Sequence, residues 1–490
     1  MTDTLAKYIK EPQTDEYLLE IRRKSRAYFD NASKNRDKWR KKNWYYHKQI
    51  AQICRYYVRP DASVLEAGCS TGDLTAELGK NAAGMDFSEN AVKLARQKYP
   101  ANEFLHDDIE APRIQRTFDY VVCTDTIGSL GDIWRAFRNL RGFCHDDSRL
   151  IITHYNYLWE ALLRLGEKLG CKSPQPLQHW LSRQDIINLL EISGFRIVQS
   201  GRRVLLPFYI PLVSDFVNRY IAPLPLIRNL CLVQYFVARP EPAIKAIKET
   251  DVVSVIVPTR DEAGNIAPLL ARLPKMGGKT EVVFVDGDST DGTFELLEKA
   301  AQNPPEGFAF KVIKQGGKFG KGDAMRKGFD AATGDYFIIL DSDISVAPED
   351  LPKFYLALAE GKGEFINGSR LNYPMQGEAM RYLNNIANRF FGWLFSWLLD
   401  QPIRDTLCGT KAFSRENYAR IKAQRVYFGD FDPFGDFDLL FGAAHLGLEI
   451  KEMPVRYRNR AYGNIKISRF RHGWLLLQMS FFAMRKIKFF

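Results

Sequence analysis

Two stretches of the chain alternate short runs of β-branched and aromatic residues with longer segments of helical periodicity. In the first, SVLEAG (63–68), AAGMDF (82–87), FDYVVCTD (118–125) and RLIITHY (149–155) read as strands. In the second, VVSVIVPT (252–259), TEVVFVDGD (280–288), FAFKVIK (308–314) and GDYFIILDSD (334–343) do. Strands that alternate with helices predict a parallel, doubly wound sheet. No period repeats between the two stretches, so they read as two different α/β domains and not a duplication. Residues 1–60 read as helix, rich in Lys, Arg, Tyr and Trp. Residues 203–238 are apolar and punctuated by proline, and read as a cover or an acceptor wall for the first domain's pocket. RPEPAIKAIKETD (239–251) reads as a polar linker. No apolar run reaches the ~18–20 residues of a membrane-spanning helix. Within 380–398, Met380, Leu383, Ala387, Phe390, Leu394 and Leu398 fall at helical spacing, which suits either a core helix or an interfacial one.

Composition narrows this picture. With 46% hydrophobic and 26% charged residues the chain is an ordered globular protein, not a disordered, collagen-like or coiled-coil one. Its 490 residues allow two to four domains. Seven scattered cysteines form no CxxC pair, which argues against a zinc ribbon or disulfide scaffold. The N-terminal residues carry no apolar signal core, so a reducing, cytosolic setting is expected. The net charge of +11 is local: Arg456–Phe490 holds nine Lys/Arg and no acid. That run interleaves cations with apolar residues (FRHGWLLLQMSFFAMRKIKFF), which favours an anionic lipid surface over nucleic acid. Lys34–Lys42 is a second basic run, with six cations against Asp37. No interleaved aromatic stacking set accompanies these runs, so no nucleic-acid partner is expected.

The first candidate site lies at strand ends. VLEAGCSTGDLT puts Glu66, Gly68 and Gly72 at a strand-to-helix turn, where glycine lets backbone approach a ligand. Asp86 ends the next strand about 20 residues on, placed to accept both hydroxyls of a ribose. Asp107 and Asp108 follow at the third strand end, where an adenine amino group is read. The turn lacks GxGxxG spacing and no phosphate-binding lysine sits near, so the set suits a nucleoside without phosphates.

Residues 61–155 resemble the class I S-adenosylmethionine-dependent methyltransferases. The motif is Glu66-Ala-Gly-Cys-Ser-Thr-Gly72, with Ser70 in place of the usual middle glycine. The resemblance implies that Gly68, Cys69 and Gly72 line the methionine portion. It implies that Asp86 binds the ribose and that Asp107, Asp108 and Ile109 border the adenine. The methyl acceptor is not legible. Positioning alone can drive the in-line displacement, with His154 as a candidate base.

The second site gathers acids. One strand delivers Asp261 and Glu262 to a loop, another delivers Asp286 and Asp288, and a third delivers Asp341 and Asp343. Carboxylates converging at the carboxyl edge of a parallel sheet need a shared cation. Asp-x-Asp after a buried strand offers hard oxygen ligands to Mg²⁺ or Mn²⁺, which can bridge a diphosphate.

From Val252 to Ser468 the chain resembles the inverting family-two glycosyltransferases, of the nucleotide-diphospho-sugar transferase (GT-A) fold. VPTRDE, from Pro258 through Asp261 and Glu262, matches the nucleotide-binding opening. VDGDSTDGT matches VDDGSTDGT with Gly and Asp exchanged. By this resemblance Asp286 recognises the base and Glu262 sits near base or ribose. GKGDAMRKGFDAATGDY, with Lys321, enters the metal strand, where Asp341 and Asp343 hold the metal. Arg370, ending GSR, completes the nucleotide-sugar set. DTLCGTKAF and RNRAYGNIKIS look like the polyprenyl-phosphate sugar transferases of the dolichol-phosphate mannose synthase type, with Arg460 and Lys466 as phosphate holders. Two departures, Ile465 before Lys466 and Ile344-Ser345 after Asp343, bear on the acceptor. A hydroxyl acceptor would need a base, for which Asp436 is the candidate; a phosphate acceptor needs none.

The expectation is therefore an α/β protein of two parts. A Rossmann-like methyltransferase domain spans 1–240 and a linker 241–251. A GT-A domain spans 252–468 and a basic amphipathic tail 469–490. The parts imply S-adenosylmethionine, a divalent metal, a nucleotide-sugar donor and a polyprenyl-phosphate or lipid-linked glycan acceptor. The expected place is the cytoplasmic face of the cell membrane, held peripherally, or the cytoplasm. The alternative is sugar transfer to a hydroxyl of a lipid-linked glycan, beside a first half that only binds or docks.

Overall fold

A computed structural model describes residues 16–173, 175, 178–242, 247–317, 320–370, 382–425, 435–457 and 477–489. The chain divides into two compact units, Met1–Glu241 and Pro242–Phe490.

The first unit is built on β1 (Val64–Ala67), β2 (Ala82–Asp86), β3 (Glu103–His106), β4 (Phe118–Thr124), β5 (Cys144–Tyr155), β6 (Phe195–Arg203) and β7 (Val233–Pro240). Their order in the sheet is β3-β2-β1-β4-β5-β7-β6. The first five strands run parallel and β7 runs antiparallel to both its neighbours. Strand order reverses between β1 and β4, which opens a crevice beyond their carboxyl ends. The central strands are buried, so they read as continuous apolar runs. The segment expected to cover the pocket divides. Residues 207–232 lie outside the sheet in loops and short helical turns. Val233–Ala238, in contrast, is a fully buried central strand, apolar except for Gln234, whose Nε2 donates to the carbonyls of Leu181 and Tyr155.

The second unit carries β8 (Val252–Thr259), β9 (Lys279–Asp286), β10 (Phe308–Lys314), β11 (Tyr336–Ile339), β12 (Phe365–Ser369), β13 (Lys411–Ser414) and β14 (Ile450–Pro454), ordered β10-β9-β8-β11-β13-β12-β14. β10, β9, β8 and β11 are parallel. β13 is antiparallel to both β11 and β12, so the sheet is mixed and not wholly parallel as expected. Register pairs Thr259 with Asp286 and Ile256 with Ile339, which brings three strand ends to one edge.

No described helix is long and apolar enough to cross a membrane. In the helix Tyr382–Leu399, Phe391, Leu394, Phe395 and Leu398 are buried, while Phe390 and Trp393 face out. The described end of the tail behaves alike. Met479, Ala483 and Ile487 are buried, and Lys488 pairs with Asp400 at 2.5 Å, whereas Leu477 and Phe481 are exposed. Each element is half core and half surface.

The helix Lys321–Ala331 lies close on the sheet through Gly328, where a Cβ would stand 2.5 Å from Ile256 Cγ2. Gly328→Ala gains about 1 kcal/mol of helix propensity but overpacks the contact at a cost of about 1–3 kcal/mol. The expected outcome is a lower melting temperature, read by thermal unfolding, with Lys321 displaced at the helix's first turn.

Two candidate active sites

In the first unit a cavity of about 730 Å³ opens at the β1/β4 switch. Gly68 ends β1 at φ +86°, and a Cβ there would stand 2.4 Å from Thr126 Oγ1. Only glycine lets this turn and the β4 end come together. Asp86 ends β2, nearly buried; its two oxygens accept from Ser70 N and Ser88 N, each at 2.8 Å. Burial raises its pKa, and those backbone donors oppose the rise. Each oxygen keeps a lone pair for a further donor, which is what two ribose hydroxyls require. Asp108 and Ile109 also line the cavity, Asp108 paired with Arg22 at 2.7 Å.

Five other predicted residues stand behind this wall. Glu66 is buried and accepts from Thr75 Oγ1 at 2.5 Å; burial pushes its pKa up to about 8. Cys69 packs with Val92, Ala95 and Phe104. Gly72, at φ +76°, starts the helix Asp73–Leu78, and Asp107 accepts from Arg113 N and Ile114 N. His154 is fully buried on β5, off the cavity wall, and burial lowers its pKa to about 4.

The wall does hold a polar pair the sequence reading did not single out. Asp125 follows β4 at φ +53°. Its Oδ2 accepts from Tyr46 Oη at 2.6 Å and its Oδ1 from Thr153 Oγ1 at 3.1 Å. Burial raises the pKa of Asp125 and, more strongly, that of Tyr46. Both line the cavity with Asp86 and Gly68. The visible signal was an acid ending a strand, FDYVVCTD. Its partner lies 79 residues earlier, on the helix Trp44–Tyr57.

In the second unit the three strand ends meet as the spacing implied. Asp286 is buried and accepts from Ser289 N and Oγ. Asp261, at φ +50°, receives Thr290 N at 2.9 Å, and its own N–H donates to Ser289 Oγ. Glu262 accepts from Asn265 Nδ2 at 2.6 Å. Pro258 lies on β8 beside these loops, and its carbonyl accepts from Ser342 Oγ. Asp341 Oδ1 stands 2.6 Å from Lys321 Nζ. Asp343 is nearly buried and receives Ser345 N at 2.9 Å.

Arg370 is committed elsewhere in this edge. Its guanidinium grips Asp405 at 2.7 and 2.8 Å, and its N–H donates to the same carboxylate. Burial works against both charges. The Asp405 carboxylate nonetheless holds Arg370 above its ordinary pKa, and the guanidinium holds Asp405 below the carboxylate range. Asp405 anchors the loop that reaches Gly409, where a Cβ would stand 2.3 Å from Asp341 Oδ2 and 2.6 Å from Lys321 Nζ. The glycine of DTLCGTKAF is thus the residue that lets this loop close on Asp341.

No group of three or more His, Cys, Asp or Glu poised for a metal occurs among the described residues. Arg460 and Lys466 lie outside the described residues. Asp436 opens the helix Asp436–His445.

Glu66 yields a pH test. A carboxyl whose folded pKa lies above its unfolded value contributes fully to stability below the unfolded value, 4.5, and loses that contribution as pH rises through about 8. Glu66→Gln removes the loss. Its stability is expected to match wild type near pH 5. By pH 8.5 it should exceed wild type, by at most about 5 kcal/mol for the full shift, read as a higher melting temperature.

The family model described as a methyltransferase domain matches residues 26–200, and that of glycosyl transferase family 2 matches residues 254–421. Glycosyltransferase AglJ of Haloferax volcanii is 31% identical over 215 residues, 44% of this chain and 65% of its own. Dolichol-phosphate mannosyltransferase of Saccharomyces cerevisiae is 38% identical over 110 residues, 21% of this chain and 40% of its own. The chain therefore spans less than two thirds of either relative. Polyprenol monophosphomannose synthase of Mycolicibacterium smegmatis is 28% identical over 234 residues, 45% of this chain and 83% of its own. Among solved structures, a methyltransferase of Thermotoga maritima gives a TM-score of 0.36 at 15% identity, covering 44% of this chain and 100% of that one. Glucosyl-3-phosphoglycerate synthase of Mycobacterium tuberculosis gives 0.36 at 21%, covering 51% and 85%. The chain joins in one polypeptide a methyltransferase domain and a family 2 glycosyltransferase domain, the latter related to polyprenol-phosphate mannosyltransferases.

Proposed function

We propose that this is a bifunctional, membrane-associated enzyme. Its second unit moves a sugar from a nucleotide-sugar donor to a polyprenyl phosphate or other lipid-linked acceptor. Its first unit methylates an acceptor in the same cell-surface glycan or glycolipid pathway. The observation that carries the sugar-transfer reading is the convergence of Asp261, Glu262, Asp286, Asp341 and Asp343 on one sheet edge beside Lys321. The yeast and mycobacterial relatives, a dolichol-phosphate mannosyltransferase and a polyprenol monophosphomannose synthase, point to mannose as the first donor sugar to test and to a polyprenyl phosphate as the acceptor.

Asp341 and Asp343 fit a divalent cation. They are hard oxygen donors, and Asp341 already draws an ammonium group to 2.6 Å. Such a cation, when bound, neutralises charge on the leaving diphosphate. Lys321 adds a second positive charge at the same place. Asp286, buried and held by Ser289, presents a fixed acceptor to a base. A phosphate acceptor arrives as an anion and needs no proton removed. Asp343→Asn is expected to abolish sugar transfer while calorimetric S-adenosylmethionine affinity stays unchanged. Undiminished turnover would remove the metal assignment.

In the first unit the cavity supports catalysis and not docking alone. S-adenosylmethionine supplies an electrophilic methyl group when bound. Asp86 holds two ribose hydroxyls, and Gly68 admits the ligand against bare backbone. Asp125 would take the proton that a hydroxyl acceptor loses as the methyl group leaves the sulfonium sulfur for the acceptor oxygen, and the Tyr46 hydrogen bond orients the carboxylate. Asp86→Ala is expected to weaken cofactor binding by about 1.5–3 kcal/mol, read by calorimetry. Asp125→Asn is expected to lower methyl-transfer kcat by about 10²-fold or more with cofactor affinity intact. A loss of affinity instead would make Asp125 a binding residue.

Peripheral attachment of the second unit is supported by the outer faces of its two half-buried helical elements. Phe390, Trp393, Leu477 and Phe481 are exposed there, and Arg485 and Lys486 close the tail.

A further inference from the structure

The first unit exposes far more large apolar side chains than its core requires, and they gather at the cavity mouth. The helix Glu160–Lys168 contributes Leu163 and Gly166 to the cavity wall, while Leu162, Leu165 and Leu169 stand in solvent. Across the opening, Pro207 and Phe208 line the wall, and Tyr209, Ile210, Leu212, Val213 and Phe216 stand in solvent. Leu212 is 88% exposed at φ +63°, a backbone conformation unfavourable to any side chain bearing a Cβ. Leu226 is 86% exposed. The segments form one rim. Trp159 Nε1 donates to the carbonyl of Leu230 at 2.7 Å, and Tyr209 packs its ring against Trp44 and Tyr45 at 5.1 and 5.4 Å.

The rim is also cationic. Residues 157–172 and 202–232 together hold seven Arg/Lys, six of them outside the buried set that includes Arg203, against three carboxylates. Lys42 and Lys48 add two more cations, Lys42 bonded to the carbonyl of Gly170 and Lys48 beside Asp215 and the Tyr45 ring. Of the three carboxylates, Glu160 is paired with Arg164, Glu167 with Lys172, and Asp215 accepts from Tyr45. Aromatic and leucine side chains ringed by cations suit the headgroup level of an anionic bilayer, where rings sit at the boundary and long cations reach phosphates. Monomeric soluble proteins rarely leave so contiguous an apolar patch uncovered.

We propose that this rim docks on an anionic lipid bilayer and that the methyl acceptor enters the cavity from it, as the polar head of a membrane-anchored lipid. The surface stands on its own observations; the identity of the acceptor rests on the methyltransferase reading above. Each half of the chain then meets the membrane through its own apolar surface, and the rim is an attachment distinct from the C-terminal tail.

The test uses the full chain. Cys171 is the exposed cysteine among the seven, and the other six are buried. In a Cys171→Ser background, Leu212→Cys takes an NBD fluorophore that reports polarity. Asp146→Cys, at the amino-terminal end of β5 on the opposite edge of the sheet, is the control. With phosphatidylglycerol-containing vesicles, emission at 212 is expected to rise about twofold or more and shift to the blue, while the control stays flat. Adding Leu165→Glu and Leu226→Glu should weaken the 212 response about tenfold in lipid concentration. Calorimetric S-adenosylmethionine affinity should remain unchanged. A flat 212 signal in protein that floats with vesicles assigns attachment to the second unit alone and overturns the proposal. So does a 212 response that survives both glutamates, or one that rises with protein concentration without vesicles, which assigns the face to a second copy. If the 212 response holds but no S-adenosylmethionine binds, the rim stands and the acceptor assignment falls with the methyltransferase reading.

Discussion

A carboxylate at the buried carboxyl end of a parallel strand must be met by donors or by a cation, because an uncompensated charge there is too costly to keep. Both units are arranged around this constraint. Asp86 is met by two backbone N–H groups and Asp125 by two hydroxyls. Asp286 is met by a serine, Asp341 by Lys321 and Asp405 by Arg370. The donors differ in what they leave open. Asp86 and Asp125 keep oxygens toward a cavity, whereas Asp405 is closed by a bidentate guanidinium and is structural. The same residue type, at a strand end or in the loop before β13, therefore does different work, and the number of free lone pairs decides which.

The buried Arg370–Asp405 pair shows how structure and site are coupled. Breaking a buried pair by removing one partner typically costs about 3–5 kcal/mol, since the other charge remains. Asp405 also receives Leu407 N and so fixes the loop that brings Gly409 against Asp341 and Lys321. Lys321 is fixed from the other side, because its helix is held to the sheet at Gly328. A carboxylate thus sits between two rigid supports, which suits the fixed geometry that the proposed nucleotide-sugar donor would need.

Much of this was legible in the residues. Strand positions were readable because central parallel strands are continuous β-branched runs, and the acids that end them were readable as acids. Partnership across the chain was not. GSR predicts a nucleotide contact for Arg370, and nothing local says that Asp405 takes its guanidinium. Glu66, Cys69 and Gly72 belong to the motif, yet they stand behind the wall, because neighbouring residues in a tight turn cannot all face one ligand. Asp125 ends FDYVVCTD in plain view, but its role depends on Tyr46, a contact set by the tertiary fold. The antiparallel β13 within the second sheet was invisible for a similar reason. KAFS is too short to carry a pattern, and its place depends on strands far away in sequence.

The apolar residues that a sequence assigns to core or to surface are the hardest to place, and here the answer is often both. In the helix Tyr382–Leu399 the buried stripe is Phe391, Leu394, Phe395 and Leu398, while Phe390 and Trp393 lie outside it. The helix Glu160–Lys168 carries no buried residue at all, yet it is among the more amphipathic stretches of the first unit. Leu163 packs on the first unit's core, whereas Leu162, Leu165 and Leu169 are covered only if something beyond the unit meets them. Water is a poor partner for Leu162, Leu165 and Leu169, and the cations around them disfavour a purely apolar protein partner. A bilayer answers both demands, offering acyl chains to the leucines and phosphates to the cations. Under the proposed docking, with the cavity opening through the same rim, the shortest path for an amphiphilic acceptor would run from membrane to methyl donor without crossing water.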